Sequence, residues 1–547
     1  MRQRVSDGEH FPMGNNLTKC IKQYAITMPA MDAIIEMKQT RGKRAVIRRR
    51  LSYEKFDLRI DQYITGFSQK GIQKGIRVLM LLSPGVEMVC TFFALIRMGA
   101  IPILIDSGMG SRAFIRLANF SKPDFIVCSR RIKWLIFCHI FNIKGKVVVV
   151  QRSFAKNQRA NTALQDTDPE DTVAILFTSG STGMAKGVAY KRRNFVAQLN
   201  KLQLTYKLSP HARDVTLLPA FMFFNPMFGR TLIIPDMDFS QPAKLHLPSI
   251  VETIVNNRAT SSFASPILWD KISEYCFEYE IKIRSLEQIF LAGVSATTRV
   301  LENIQSIAPN AKIFTPYGAT ECLPICSISA DEILNEIRPL QENGAGTCIG
   351  MPVDGIEIKI ITPENGIVAT IDDRNLLPLG YTGEIVVKGD NVTELYDQLP
   401  DQTALAKIYQ DGKIWHRTGD LGFFDQKGRV WFCGRKMERV ITQNGEEYYP
   451  DCIEPLFHKH HTVERAALIK FVKRGTVFPA IVILPKAGQY PFFPWQKWLF
   501  RRELKKLAQR FPKTTPIIHF FFCRKLPVDP RHNAKINRLR LSKQFSS

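Results

Sequence analysis

The stretch from Ile175 to Tyr190, I-L-F-T-S-G-S-T-G-M-A-K-G-V-A-Y, constrains this chain more than any other. An apolar run meets a loop of glycines and hydroxyls, then one lysine, then a second apolar run, so two strands must be joined by a polar turn. Gly180, Gly183 and Gly187 can take positive φ and let backbone N–H groups converge on an anion. Thr178, Ser179, Ser181 and Thr182 add short hydroxyl donors, and Lys186 adds a charge. A Walker A loop is excluded, because Lys186 is preceded by Ala185 and followed by Gly187, where that motif needs Gly and then Ser or Thr. A flexible Ser/Gly hairpin is the plain alternative. Specific residue types at fixed spacing between two apolar strands favour a phosphate cradle.

A chain of 547 residues, 45% of them hydrophobic, buries a large core and divides into at least two domains. Met1 to Met13 is polar, which predicts a chain without a secretory leader. The most apolar segment, Trp134 to Ile143, is half the length of about 20 residues that a membrane-spanning helix needs. The 11 cysteines form no C-x-x-C pairs, as expected for reduced thiols, and Cys322 with Cys326 suits two core thiols better than half a zinc site.

The formal net charge is +25, yet no zinc-finger, RNP or homeodomain pattern accompanies it. After Cys433 there are 23 Lys and Arg against 8 Asp and Glu, a net of +15. A basic C-terminal domain of this kind suits polyphosphates, acidic partners or an anionic membrane surface rather than a specific nucleic acid.

Taken in order, Leu51 to Gly71 opens with L-S-Y-E-K-F-D and continues as a helix. Strand Val78 to Leu82, helix Glu87 to Met98 and strand Ile101 to Ile105 make a βαβ unit, and helix Ser111 to Asn119 with strand Phe125 to Cys128 repeats it. The Arg41 to Arg50 cluster suits a solvated loop, with anionic lipid as the alternative contact. Helix Asn194 to Leu204 and strand Val215 to Pro219 lead into P-A-F-M-F-F-N-P, an apolar loop that needs either burial or a ligand. Gly350 to Gly389 is rich in strands and turns, as in a small barrel.

Five segments then carry polar chemistry. Phe290 to Ser295 ends a strand on Gly293, and Ile313 to Glu321 reads I-F-T-P-Y-G-A-T-E. Trp415 to Asp425 reads W-H-R-T-G-D-L-G-F-F-D, and Phe432 to Thr442 reads F-C-G-R-K-M-E-R-V-I-T. Leu526 to Arg538, L-P-V-D-P-R-H-N-A-K-I-N-R, sets Lys535 in a polar loop. His416-Arg417 and Asp420-Leu421-Gly422 imitate kinase motifs, but they are fused and no catalytic-loop Asn follows. His458, His460 and His461 suit a polar loop better than a metal site. Trp495, Trp498, Leu499, Leu504, Leu507, Ala508 and Phe511 read as one helical stripe among Arg501, Arg502, Lys505, Lys506 and Arg510. Packing on its own domain explains such a stripe, and an interfacial membrane helix is the alternative.

With T-S-G-S-T-G-x-x-K-G, these segments in this order resemble the ANL superfamily of adenylate-forming enzymes: acyl-CoA synthetases, luciferases and peptide-synthetase adenylation domains. The resemblance implies an α/β fold. A large N-terminal adenylation domain, residues 1–433, would hold two βα-layered sheets and a distorted β-barrel, and residues 434–547 would form a small mobile α+β lid. It implies ATP and Mg2+, a fatty-acid-type carboxylate substrate, and a cytoplasmic protein or one peripheral on the inner membrane surface. ATP would meet Thr178, Ser179, Gly180, Ser181, Thr182, Gly183, Lys186, Gly293, Tyr317, Gly318, Ala319, Thr320, Asp420 and Arg435. Within that set Tyr317 would face adenine, Thr320 the α-phosphate, and Asp420 with Arg435 the ribose. Glu321 would hold Mg2+, and Lys535 would reach the substrate carboxylate and α-phosphate. Phe223 and Phe224 would line the acyl pocket. The sequence departs from the family pattern at Val294-Ser295, where G-G-A-P is usual, at Met437, where a hinge Asp or Lys is usual, and at Asn533-Ala534, where many members have Gly before the lysine.

Within the superfamily, Leu104 to Gly110, Ile234 to Asp238, Tyr317 to Pro324 and Arg531 to Ile536 look like the olefin-biosynthesis branch, whose members close 2-alkyl-3-hydroxy acids to β-lactones. A fatty acyl-CoA ligase, with coenzyme A as co-substrate, is the alternative. A non-catalytic scaffold bound to membrane or nucleic acid is a third, disfavoured because Lys186, Glu321, Asp420 and Lys535 are all present.

Overall fold

The computed structural model describes residues 17–40, 42, 44–138, 140–150, 154, 168–177, 185–241, 245–528 and 535–546. The expected βαβ repeats are present. Strands Arg77–Leu81, Ile101–Leu104, Phe125–Cys128 and Lys146–Val149 lie parallel in a 7-stranded sheet with Thr172–Phe177, Gly187–Lys191 and Leu395–Tyr396. Helix Val86–Arg97 is buried on nearly every side, which its run of Val, Met, Phe and Leu requires.

A second, 14-stranded sheet runs in the order Glu357–Ile361, Gly383–Lys388, Lys413–Phe424, Val430–Arg435, Thr347–Pro352, Cys322–Ser329, Lys312–Ala319, Gln288–Leu291, Ser261–Ala264, Arg213–Thr216, Thr231–Ile234, Asp32–Gln39, Ala45–Ser52, with Lys407–Gln410 joined to Lys413–Phe424. Its middle is parallel, and its first members are antiparallel, packing around a core that includes Ile325, Ile360, Ile385, Val387 and Val430. Strands Glu357–Ile361 and Gly383–Lys388 fall in the stretch Gly350 to Gly389 expected to form a small barrel, and they are hydrogen-bonded into the main sheet. The arginine cluster expected to be a loop instead forms the edge strand Ala45–Ser52, paired with Asp32–Gln39. Ion pairs of Arg48 and Arg49 with Glu36, at 2.9 and 3.5 Å, anchor it, so the cationic run is compatible with strand pairing.

The C-terminal part is α+β. Strands Val463–Lys473 and Thr476–Pro485 form a hairpin, His519–Phe522 adds in parallel, and helices Pro450–Phe457, Pro494–Ala508 and Arg538–Phe545 surround them. Arg538 ties the unit together, since its guanidinium reaches both oxygens of Glu454 at 2.8 Å and Glu438 at 2.7 Å. The apolar residues of helix Pro494–Ala508 do not share one stripe. Phe500, Leu504, Leu507 and Ala508 are buried on the sheet, whereas Trp495, Trp498 and Leu499 face outward. At about 100° per residue, Trp495 and Leu504 lie half a turn out of phase.

His458, His460 and His461 lie in the turn that follows helix Pro450–Phe457, as the polar-loop reading expects, and two of them make structural contacts. His458 Nε2 accepts from the Ala466 N–H at 3.2 Å, and His460 Nε2 lies 3.3 Å from Glu503. All 11 cysteines are free thiols. Among the described residues no helix is long and apolar enough to cross a membrane.

Candidate active site

Both strands flanking the sequence cradle form one hairpin: Thr172–Phe177 pairs antiparallel with Gly187–Lys191, and Phe177 stands opposite Gly187. A Cβ at Gly187 would come within 2.9 Å of the Phe177 ring, so the pairing itself demands glycine there. Thr178, Ser179, Gly180, Ser181, Thr182 and Gly183 lie outside the described residues. Lys186, at the hairpin's second strand, is half-buried, and its ammonium lies 4.7 Å over the ring of Tyr396. Burial lowers the Lys186 pKa, and the nearby Glu321 charge opposes that shift.

Glu321 sits in the turn between strands Lys312–Ala319 and Cys322–Ser329. Gly318 is required by this turn, because a Cβ would lie 2.6 Å from the Leu323 side chain and 2.9 Å from the Cys322 carbonyl oxygen. Four side chains hold Glu321 and its neighbour. Tyr396 donates to Glu321 Oε1 at 2.7 Å, and Tyr190 donates to the Thr320 carbonyl. The Thr393 amide and hydroxyl donate to the Glu321 carbonyl at 2.9 and 3.2 Å, while the buried Lys407 ammonium donates to the Thr393 carbonyl. Burial pulls the Lys407 pKa down to about 8. Tyr396 reaches this place because its short strand, Leu395–Tyr396, pairs with Gly187–Lys191.

A second cluster involves Tyr317, Asp420 and Arg435. Asp420 and Arg435 are direct neighbours across strands Lys413–Phe424 and Val430–Arg435, and their side chains form an ion pair at 2.8 Å. Tyr317 donates to the other Asp420 oxygen at 2.5 Å. Burial raises the Asp420 pKa against the opposing Arg435 charge, and Asp420 in turn raises that of Arg435.

A cavity of about 1320 Å3 connects these features. Its lining includes Lys186, Gly293, Gly318, Ala319, Thr320, Glu321, Gly419, Arg435, Met437 and Lys535. Tyr317 and Asp420 do not line it; they are tied to it through Arg435, which pairs with Asp420, and through Gly318, next to Tyr317 in the chain. Its apolar part is walled by Met80, Phe92, Leu104, Phe114, Phe223 and Phe224, together with the whole run Ile234 to Asp238. Phe223 is buried and stacks on Phe92 at 3.9 Å, and Phe224 stacks on Phe195 at 5.8 Å.

The loop bearing both phenylalanines is two 3-10 turns, Pro219–Phe223 and Asn225–Phe228, pinned from below. Asn225 donates to Asp214 at 3.1 Å and Thr216 at 2.9 Å, and Ser261 joins Asp214 to the buried Arg230 with bonds of 2.5 Å each. Tyr53 caps the loop through the Pro226 and Arg230 carbonyls at 3.1 and 3.0 Å.

Of the residues named from the sequence, the structure brings Lys186, Gly293, Gly318, Ala319, Thr320, Glu321, Arg435, Lys535, Phe223 and Phe224 to one cavity, while Tyr317 and Asp420 join it through their bonds to each other and to Arg435. Sequence reading named these groups. It missed Tyr190, Thr393, Tyr396 and Lys407, which stand far from Glu321 in the chain or carry no motif of their own.

Residues 35–397, more than half of the chain, match the family model described as AMP-binding enzyme. The chain belongs to this family of adenylate-forming enzymes and is an AMP-forming ligase or synthetase. Two relatives bear the name olefin beta-lactone synthetase. That of Xanthomonas campestris pv. campestris is 33% identical over 512 residues, and that of Stenotrophomonas maltophilia 34% over 513, with 90% of each chain covered in both pairs. The Bacillus subtilis O-succinylbenzoate coenzyme A synthetase in complex with ATP and magnesium ion shares the fold at a TM-score of 0.74 and 21% identity, over 95% of this chain and 98% of its own.

Proposed function

We propose that the protein activates a long-chain 2-alkyl-3-hydroxy acid as its acyl-AMP and closes that intermediate to a β-lactone. The observation that carries this reading is the cavity, in which one apolar volume opens directly onto Lys186, Glu321 and Lys535. Its 1320 Å3 exceeds the range of about 300–1,000 Å3 usual for small-molecule sites, which gives room for a nucleotide and a long-chain acid together. The similarity to the two β-lactone synthetases over 90% of the chain supports it.

In the first step a carboxylate oxygen attacks the α-phosphorus of ATP, the bond to the β-phosphate oxygen breaks, and pyrophosphate leaves. Carboxylate and triphosphate repel each other, so the work is positioning and neutralisation. We assign Lys186 to the departing phosphates, Thr320 and Lys535 to the α-phosphate, and Lys535 also to the carboxylate. Gly293, Gly318 and Ala319 provide close backbone approach to the nucleotide, and we assign the phosphates also to Thr178, Ser179, Gly180, Ser181, Thr182 and Gly183 on their sequence alone. Tyr317 we place against the adenine, and Asp420 with Arg435 at the ribose. Asp420 accepts one bond from Tyr317 and an ion pair from Arg435, and since only Arg435 of the three lines the cavity, Asp420 would act on the ribose through the arginine it orients.

Glu321 has one oxygen engaged by Tyr396, so the other is available to a hard cation. Among the described residues no group of three or more His, Cys, Asp or Glu could hold a metal, and Mg2+ bound by one carboxylate with phosphates and water needs none. Bound there, Mg2+ would neutralise charge on the phosphates.

In the second step the substrate's 3-hydroxyl oxygen attacks the activated carbonyl. The acyl–phosphate bond breaks, AMP leaves, and the hydroxyl proton passes to solvent. Proximity favours this closure although the ring is strained. We place the domain boundary at strand Val430–Arg435, with residues 434–547 as the lid, and Lys436–Glu438, a 3-10 turn, as its hinge.

The test is incubation of the purified protein with ATP, Mg2+ and a long-chain 2-alkyl-3-hydroxy acid without coenzyme A. A β-lactone released together with AMP is the expected result. A product that appears only when coenzyme A is added, and proves to be the thioester, replaces this reading with that of an acyl-CoA ligase.

A further inference from the structure

Helix Pro494–Ala508 has two apolar faces, and among the described residues only one is covered. Phe500, Leu504, Leu507 and Ala508 pack on the three-stranded sheet with Ile481, Ile517 and Phe520. On the opposite side Trp495 is 63% exposed, Trp498 62% and Leu499 43%, and the preceding Phe492 and Phe493 are 59% exposed each. Five large, outward-facing apolar side chains within eight residues exceed the scattered exposure normal for a protein surface.

The rim of this patch is cationic. At about 100° per residue, Arg502 and Lys506 fall in the same sector of the helix as Trp495 and Leu499, with Lys505 on its edge. The Arg502 guanidinium lies 5.7 Å over the Trp498 ring, and that of Arg524 lies 5.1 Å over Phe492. The single acidic residue of the helix, Glu503, is engaged by His460 at 3.3 Å. A second copy of this chain would bring the same cations, and a net +25, against themselves. Tryptophan and phenylalanine rings amid lysine and arginine instead match a bilayer interface, where rings sit at headgroup level and cations meet lipid phosphates.

We propose that the outer face of helix Pro494–Ala508, with Phe492 and Phe493, docks the C-terminal unit on an anionic lipid bilayer, the helix lying in the plane of the interface. The inference stands independently of which acid is activated. It applies to a unit that no transmembrane helix anchors among the described residues.

The experiment is co-sedimentation of the full-length protein with vesicles of phosphatidylcholine alone and with vesicles containing about one quarter phosphatidylglycerol. Two double variants accompany the native protein, Trp495→Ser with Trp498→Ser, and Arg502→Glu with Lys506→Glu. Native protein is expected to bind the anionic vesicles, with affinity falling as salt rises. Each double variant is expected to lose about tenfold or more. ATP–pyrophosphate exchange with a dispersed acid, unchanged in both variants, shows that they are folded. Equal binding to both vesicle types, or unchanged binding by either variant, overturns the proposal. So does a concentration-dependent dimer that the tryptophan variant abolishes without vesicle binding, or retention by an acidic protein in place of the vesicles.

Discussion

The Tyr396 hydroxyl donates to Glu321 Oε1 at 2.7 Å while its ring carries the Lys186 ammonium at 4.7 Å. One side chain therefore orients both the carboxylate and the cation proposed to handle the phosphates. Tyr396→Phe keeps the ring and removes a hydrogen bond to a charged group, a loss of about 1.5–3 kcal/mol. ATP–pyrophosphate exchange is expected to fall about tenfold, with a higher Mg2+ concentration needed for half-maximal rate. An unchanged rate and Mg2+ requirement would remove Tyr396 from the site.

Glu321→Ala and Lys535→Ala delete groups proposed to stabilise charge as it develops. Each is expected to lower adenylation by about 10²-fold or more. The check is pyrophosphate release by each purified variant whose far-UV circular dichroism matches the native protein, and full activity in either would remove its assignment.

Asp420→Asn keeps the shape but leaves the Arg435 guanidinium beside a neutral amide and weakens the proposed ribose contact. We expect the KM for ATP to rise about tenfold or more with a smaller change in kcat, since the lost contact would serve ground state and transition state alike. Steady-state kinetics at saturating acid decide the matter.

Met437 is exposed within the turn Lys436–Glu438 that follows the Asp420–Arg435 pair. A proline there stiffens the backbone at the proposed hinge. Met437→Pro is expected to spare acyl-AMP formation and slow its consumption, measured by single-turnover quench. Equal loss of both steps would argue for a fixed C-terminal unit.

Asp451 joins the C-terminal unit to strand Thr347–Pro352 through a bond from Thr347 at 3.2 Å. Burial pushes its pKa up to about 7, against the opposing charge of Arg538. A carboxyl whose pKa rises on folding binds more protons in the native state, so its contribution to stability falls as pH climbs from the ordinary 3.8 to about 7 and is lost above that. Asp451→Asn mimics the protonated form. The variant's thermal midpoint is therefore expected to gain on the native one across this window and to hold a constant lead at higher pH. Parallel midpoints from pH 4 to 8 would contradict the shift.

Much of this was legible in the chain because the residue types themselves carry chemistry. Lys186, Glu321 and Lys535 announce themselves by charge in polar loops, and the βαβ units by short apolar runs at regular spacing. Tyr396 could not be read this way, since it meets Glu321 only because a two-residue strand adds to the cradle hairpin. Thr393 and Lys407 likewise act through backbone carbonyls, which no motif records. Helix Pro494–Ala508 misled for another reason: its apolar residues are spaced closely enough to suggest one stripe, and only the turn angle separates the inward from the outward set.

Arg435 is both the partner of Asp420 and the last residue of the strand that hands the chain to the C-terminal unit. If the Asp420–Arg435 pair grips the ribose, then the nucleotide and the lid share a latch. Departure of AMP would loosen the point about which the lid turns, and a lid already displaced would weaken the grip on AMP. Product inhibition and lid opening would then be two readings of one clock, and a variant that speeds one would speed the other.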